Sequence, residues 1–148
     1  MKDFVRIAKE YCVLKGYDFV AGTKAVQNLF QPNQITQPNK VYFFLDPVTR
    51  KSERNLLGSV KSKIFIGNFG LLVKSNLDSP YFQEMNNQEG ISKYTMNIEP
   101  LLLKSEKMQM DLGCSGIEVL EWSEIDIKDF LDENYDGIII TYQIRGYE

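Results

Sequence analysis

The sequence predicts an α+β fold in which two or three helices pack on a mostly antiparallel sheet of four or more strands. Three observations carry that expectation. Phe4, Ile7, Ala8, Tyr11 and Leu14 recur at helical spacing, as do Tyr94, Ile98, Leu101, Leu102, Met108 and Leu112. Dense β-former runs stand at Val41–Leu45, Val60–Ser75 and Ile138–Ile144. Asp136-Gly137 separates two β-rich stretches, and both residues tolerate the positive φ that hairpin turns require. The elements come in blocks, in the order helix, two strands, helix, two strands.

The first helix has Asp3 at the positive end of its dipole and Gly16 as its stop. From Tyr17 to Phe30 the apolar residues suggest a second short helix or a packed loop, interrupted at Gly22. Gln31–Asn39 carries two prolines and reads as a polar connector. Val41–Leu45 is a strand ended by Asp46-Pro47, and the basic stretch Thr49–Ser59 either extends a long hairpin or forms a loop. Val60, Ser62, Ile64 and Ile66 alternate with Lys61, Lys63 and Phe65, and Gly67 and Gly70 suggest a bulge or bend. Asp78 or Ser79 before Pro80 marks a helix start. Pro100 kinks or splits the later helix, which Gly113 and Gly116 close.

The terminal hairpin is expected to be the spine of the sheet. Ile138, Ile140, Tyr142 and Ile144 fall on one face of its last strand. Before the turn, Val119 and Leu120, then Trp122, Ile125, Ile127, Phe130 and Leu131, make a longer run expected to contain a bulge or a break.

At 148 residues, the chain fits one domain with a core of its own. With 43% hydrophobic and 25% charged residues, it has the composition of a globular protein rather than a disordered one. A net charge of −3 argues against wholesale wrapping of nucleic acid. Histidine is absent, which removes the commonest general base, the imidazole metal ligand and the histidine dyads together. Cys12 and Cys114 lie far apart among apolar residues and read as buried free thiols. The N-terminus lacks the unbroken apolar core of a signal peptide, and no apolar run reaches the length of a membrane span. Synthesis and folding in a cytoplasm are expected.

Several motif fragments have simpler structural explanations. Asp132-x-Asn134-x-Asp136-Gly137 opens like an EF-hand calcium loop, but Gln143 stands where the closing bidentate carboxylate belongs. The flanks read as strands, so a β-turn is the expectation and no metal is assigned. Gly67-Asn68-Phe69-Gly70 and Gly113-Cys114-Ser115-Gly116 lack the Walker lysine and the dinucleotide spacing, and read as turns or bulges. The carboxylates between Glu118 and Asp136 spread along an extended hairpin, which suggests a solvated face rather than a catalytic pair. Neither a catalytic residue nor a cofactor is assigned, and the chain is not expected to be an enzyme. Positive charge clusters between Arg50 and Lys63, negative charge between Glu118 and Asp136. Complementary patches at different places on one subunit favour head-to-tail contacts, which close into rings when the rotation allows.

The layout resembles the small neck and tail-completion proteins of tailed bacteriophages, the tail terminators and head–tail connector components. The matching parts are the opening helix, the FFLDPVTRKSERNLLGSVKSKIFIGNFGLL strand pair, the later helix and WSEIDIKDFLDENYDGIIITYQI. The resemblance implies a structural virion protein, made in the bacterial cytoplasm and built into the neck or tail. Its subunits would form a hexameric or dodecameric ring that meets portal, connector or tail-tube proteins. DNA would pass through the lumen without sequence-specific contact. The candidate subunit interface comprises Arg50, Lys51, Arg54, Leu56, Leu57, Lys61 and Lys63 with Glu118, Glu121, Glu124, Asp126 and Asp129. The alternative is a monomeric or dimeric α+β protein-binding module without catalytic activity.

Overall fold

The computed structural model describes residues 2–22, 40–74, 94–130 and 135–147, with the backbone alone at 128–130. The expected Gln31–Asn39 connector and the helix start at Asp78–Pro80 lie outside these residues, as does 23–30 of the expected second helix or loop.

Helix α1 spans Phe4–Lys15. Asp3 caps it by accepting the Val5 N–H at 3.0 Å, and Gly16 ends it in the left-handed conformation at φ 76°. The Tyr17 N–H then reaches back to the Cys12 carbonyl at 2.9 Å. Phe4, Ala8 and Cys12 form the buried stripe, each four residues from the next. Leu14, expected on that face, is 79% exposed because it sits roughly 120° around the helix from Ala8.

Strand β1 spans Asp18–Ala21, where a short helix or packed loop was expected. It pairs in parallel with β2, Tyr42–Leu45, in the register Asp18↔Tyr42 to Ala21↔Leu45. Phe19 stacks on Phe43 at 5.8 Å, while Val20 packs with the cluster on the opposite face. Two large apolar residues taking opposite faces is a strand solution that no helix offers. Strand β3 spans Thr49–Arg54 and β4 spans Val60–Lys74, so the Thr49–Ser59 stretch is indeed a long hairpin. Among the described residues the elements come in the order helix, four strands, helix, two strands.

A helical turn at 94–97 precedes α2, Glu99–Cys114, so Pro100 splits the helical stretch and lies in the first turn of its second part. Ile98, Leu101, Met108 and Leu112 are buried, and so is Ser105. Strands β5, Glu118–Phe130, and β6, Tyr135–Tyr147, complete one six-stranded, mostly antiparallel sheet. The order is β1-β2-β4-β6-β5, and β3 pairs with the first half of β4 on the edge whose second half pairs with β2.

β4 and β6 pair without a register shift from Ser62↔Tyr147 to Lys74↔Tyr135. The bulge expected near Gly67 and Gly70 is therefore missing from this pairing. Gly67 is needed for clearance instead: a Cβ there would lie 2.9 Å from the Tyr142 hydroxyl. Asp136 and Gly137 form no turn. They lie inside β6 opposite Val73 and Leu72, and a Cβ on Gly137 would stand 2.1 Å from the Leu71 carbonyl oxygen. The glycine answers to close strand packing, which local sequence does not distinguish from a turn.

Both described helices pack on one face of the sheet. Their stripes meet Phe43, Phe65, Phe69 and Leu71 together with Ile138, Ile140, Tyr142 and Ile144. Phe43 and Phe69 stack at 4.5 Å, and each buried ring contributes about 2 kcal/mol through burial. The other face carries a second buried cluster of Tyr42, Phe44, Leu72 and Tyr135, confined to the β2 end. No described helix is long and apolar enough to cross a membrane.

Candidate functional site

The basic residues singled out in the sequence lie on and around β3, one margin of the sheet. Arg50 points to the helix side and donates to both Asp3 carboxylate oxygens, at 2.8 Å from Nη2 to Oδ2, and from Nη1 to the Val48 carbonyl at 3.1 Å. This fork holds the α1 N-cap against the sheet, and the Arg50 hydrogen bond keeps the Asp3 carboxyl below its ordinary range. Arg50 is thus engaged within its own subunit. Lys51, Lys61 and Lys63 have no ion-pair partner among the described residues, and Lys51 and Lys61 are exposed.

Between β3 and β4 the chain turns at Asn55–Ser59. The Asn55 side-chain oxygen accepts the N–H groups of Leu57 at 2.9 Å and Ser59 at 3.0 Å, and Gly58 takes φ 85°. Arg54 donates to the Gly58 carbonyl at 2.8 Å. This ordered tip holds Leu56 and Leu57 fully in solvent, at 107% and 91% exposure.

The acidic residues lie on β5, the opposite margin. A bulge between Val119 and Glu121 puts Val119 and Trp122, three residues apart, on the helix side together. Trp122 donates its indole N–H to Ser105 Oγ at 2.9 Å, which explains a buried serine in an apolar helix stripe. As a result the acids divide between faces: Glu118 and Glu121 pair across from Arg145 and Gln143, whereas Glu124 and Asp126 pair across from Ile140 and Ile138. They form an acidic edge rather than the single solvated face expected. Partial burial raises the Asp126 pKa. Asp129 belongs to the same strand. Asp136 is buried and does not belong to this set.

The sequence pattern did not reveal a charge network across the far face of the sheet. Arg145 donates to Glu53 at 2.7 Å and to Glu118 at 3.0 Å; Ser62 donates to Glu53 at 2.6 Å and Tyr147 to Glu118 at 2.7 Å. Residues from β3, β4, β6 and β5 are tied in one line. Hydrogen bonds from Ser62 and Arg145 lower the Glu53 pKa, and those from Tyr147 and Arg145 lower that of Glu118. The partners are far apart in sequence, so only the strand register could have revealed them.

The calcium-loop fragment has no loop to work with at its described end: Asp136 and Gln143 both lie in the extended strand β6. Asp132 and Asn134 fall outside the described residues. Cys12 is buried, its thiol pushed up to about 12 by burial, whereas Cys114, expected to be buried, is exposed at the end of α2; both are free. Comparison with protein-family models, curated proteins and solved structures finds no match.

Proposed function

We propose that the chain is a ring-forming structural subunit of the neck or tail-completion assembly of a tailed phage, closed by contact of its β3 edge with the β5 edge of a neighbour. The observation that carries this reading is the placement of unlike charge on opposite margins of one sheet. β3 carries Lys51 and Arg54; β5 carries Glu121 and Glu124; β4 and β6 lie between them. Two β5 edges brought together would oppose acids, and two β3 edges would oppose bases. Like-edge pairing is penalised, and the head-to-tail contact that generates rings is favoured. The exposed Leu56-Leu57 tip, at the turn that joins β3 to β4, would supply an apolar contact for the same neighbour. In this reading the ring is hexameric or dodecameric, meets portal, connector or tail-tube proteins, and has no catalytic role.

Native mass across protein concentration and salt, with micrographs of the heaviest fraction, tests the proposal. Rings that dissociate as salt rises are expected, because the open charges are screened. Lys51→Glu with Arg54→Glu should abolish assembly, and mixing that variant with Glu121→Lys/Glu124→Lys protein should restore a contact. A protein that stays monomeric at every concentration and salt, or rings indifferent to both reversals, would refute the edge-to-edge reading and favour the binding module.

A further inference from the structure

A groove of about 740 Å³ opens between the C-terminal turn of α1, the start of β2 and the first turns of α2. Lys15, Lys40, Lys104 and Lys107 line it with Tyr11 and Tyr17, and no aspartate or glutamate stands among its described lining residues. In a chain of net charge −3, this convergence runs against the bulk composition.

Two carboxylates just outside the groove organise the lysines without neutralising them all. Asp111 accepts from the Tyr11 hydroxyl at 3.1 Å and lies 3.1 Å from Lys107 Nζ and 3.7 Å from Lys15 Nζ. Asp18 lies 3.3 Å from Lys40 Nζ. Lys104 has no carboxylate partner among the described residues. Lys15 Nζ also stands over the Tyr11 ring, 5.6 Å from its centroid. The Lys15 and Lys40 side chains are only 31% and 30% exposed, although lysine heads ordinarily extend into water. Among the described residues, four ammonium groups stand against two carboxylates, which leaves positive charge around the groove. Their mutual repulsion is relieved by a multivalent anion.

The charges come from three separate segments around a space much larger than one tetrahedral anion needs. We propose that the groove binds a run of closely spaced phosphate groups, with lysine ammonium groups on the phosphate oxygens and the Tyr17 hydroxyl as a further donor. A soluble polyphosphate and the backbone of a nucleic-acid strand share this chemistry. The site uses none of the edge residues proposed for ring closure, so the two readings stand or fall separately.

Calorimetric titration of the full chain with inorganic tripolyphosphate and with a short oligothymidylate tests it. Binding of at least one probe at low salt, weakening as salt rises, is expected. Tighter binding of tripolyphosphate assigns a soluble ligand, and tighter binding of the oligothymidylate assigns a strand. Lys104→Ala removes a lysine with no carboxylate partner among the described residues, so circular dichroism should be unchanged while affinity falls about tenfold. Lys9→Ala, on the exposed side of α1, should leave affinity unchanged. No heat with either probe at low salt, or equal affinity in the wild type and Lys104→Ala, overturns the assignment.

Discussion

The two ends of the sheet are held by different forces. At the β2 end both faces are buried: Phe43, Phe69 and Leu71 lie under the helices, and Tyr42, Phe44, Leu72 and Tyr135 pack on the other side. At the β3 end the helix face is still apolar, with Phe65 and Ile144 meeting Phe4, but the far face carries the Glu53–Arg145–Glu118 line instead. Apolar burial presents no charge for salt to screen or pH to titrate, whereas ion pairs near the surface respond to both. One sheet therefore has a firm end and a tunable end. The tunable end is the one that carries the Lys51 and Arg54 edge and the leucine tip.

Gly137→Ala should break the firm end most severely. The new Cβ would meet the Leu71 carbonyl and the Leu72 Cα, both backbone atoms that cannot retreat without parting β4 from β6. A loss on the order of 3 kcal/mol or more is expected in the denaturant midpoint. A loss below ~1 kcal/mol would mean that the strands can separate there at little cost.

Arg145→Met should act at the tunable end and be smaller. It leaves Glu53 and Glu118 without their shared cation. The wild type should lose the same contribution in acid. Both carboxyls are held below their ordinary range, so their contribution is full above the ordinary glutamate value of 4.5 and is lost as pH falls through the lower folded-state values. Amide-exchange protection, corrected for intrinsic rates, should drop first in β3 and the adjoining half of β4 in wild type, and depend less steeply on acid there in Arg145→Met, where the Ser62 and Tyr147 hydrogen bonds to the two carboxylates remain. Uniform loss along β4 in acid would erase the distinction between the two ends.

Tyr142→Phe should give the smallest change and the opposite sign. The Tyr142 hydroxyl is buried against Gly67 without a hydrogen-bond partner among the described residues, and burial raises its pKa. Removing it should stabilise the protein by about 1 kcal/mol, read as a higher denaturant midpoint at unchanged slope. Destabilisation would show that the hydroxyl has a partner.

Elements with an uninterrupted pattern of their own were legible in the sequence. The alternation of Ile138, Ile140, Tyr142 and Ile144 put those side chains on the buried face of β6, and the break expected before the terminal hairpin is present as bulges in β5. The division of acids from bases was legible too, since charge is a property of the residues themselves. Their place on opposite margins of one sheet was not, because strand order is long-range. Arg50, expected to face a neighbour, is bound to Asp3, a residue 47 positions earlier.

By itself the sequence determined the periods of its helices and its longer strands, the absence of histidine chemistry and the two signs of local charge. These depend on residues within a few positions of one another. Tertiary structure decided what Gly137, Ser105, Arg145 and the four groove lysines do. Gly137 answers to a carbonyl on another strand, Ser105 to an indole on β5, Arg145 to carboxylates on β3 and β5, and the lysines to the meeting of three segments. Steric clearance, hydrogen bonding and charge repulsion all act across space, and folding brings distant parts of the chain within their range.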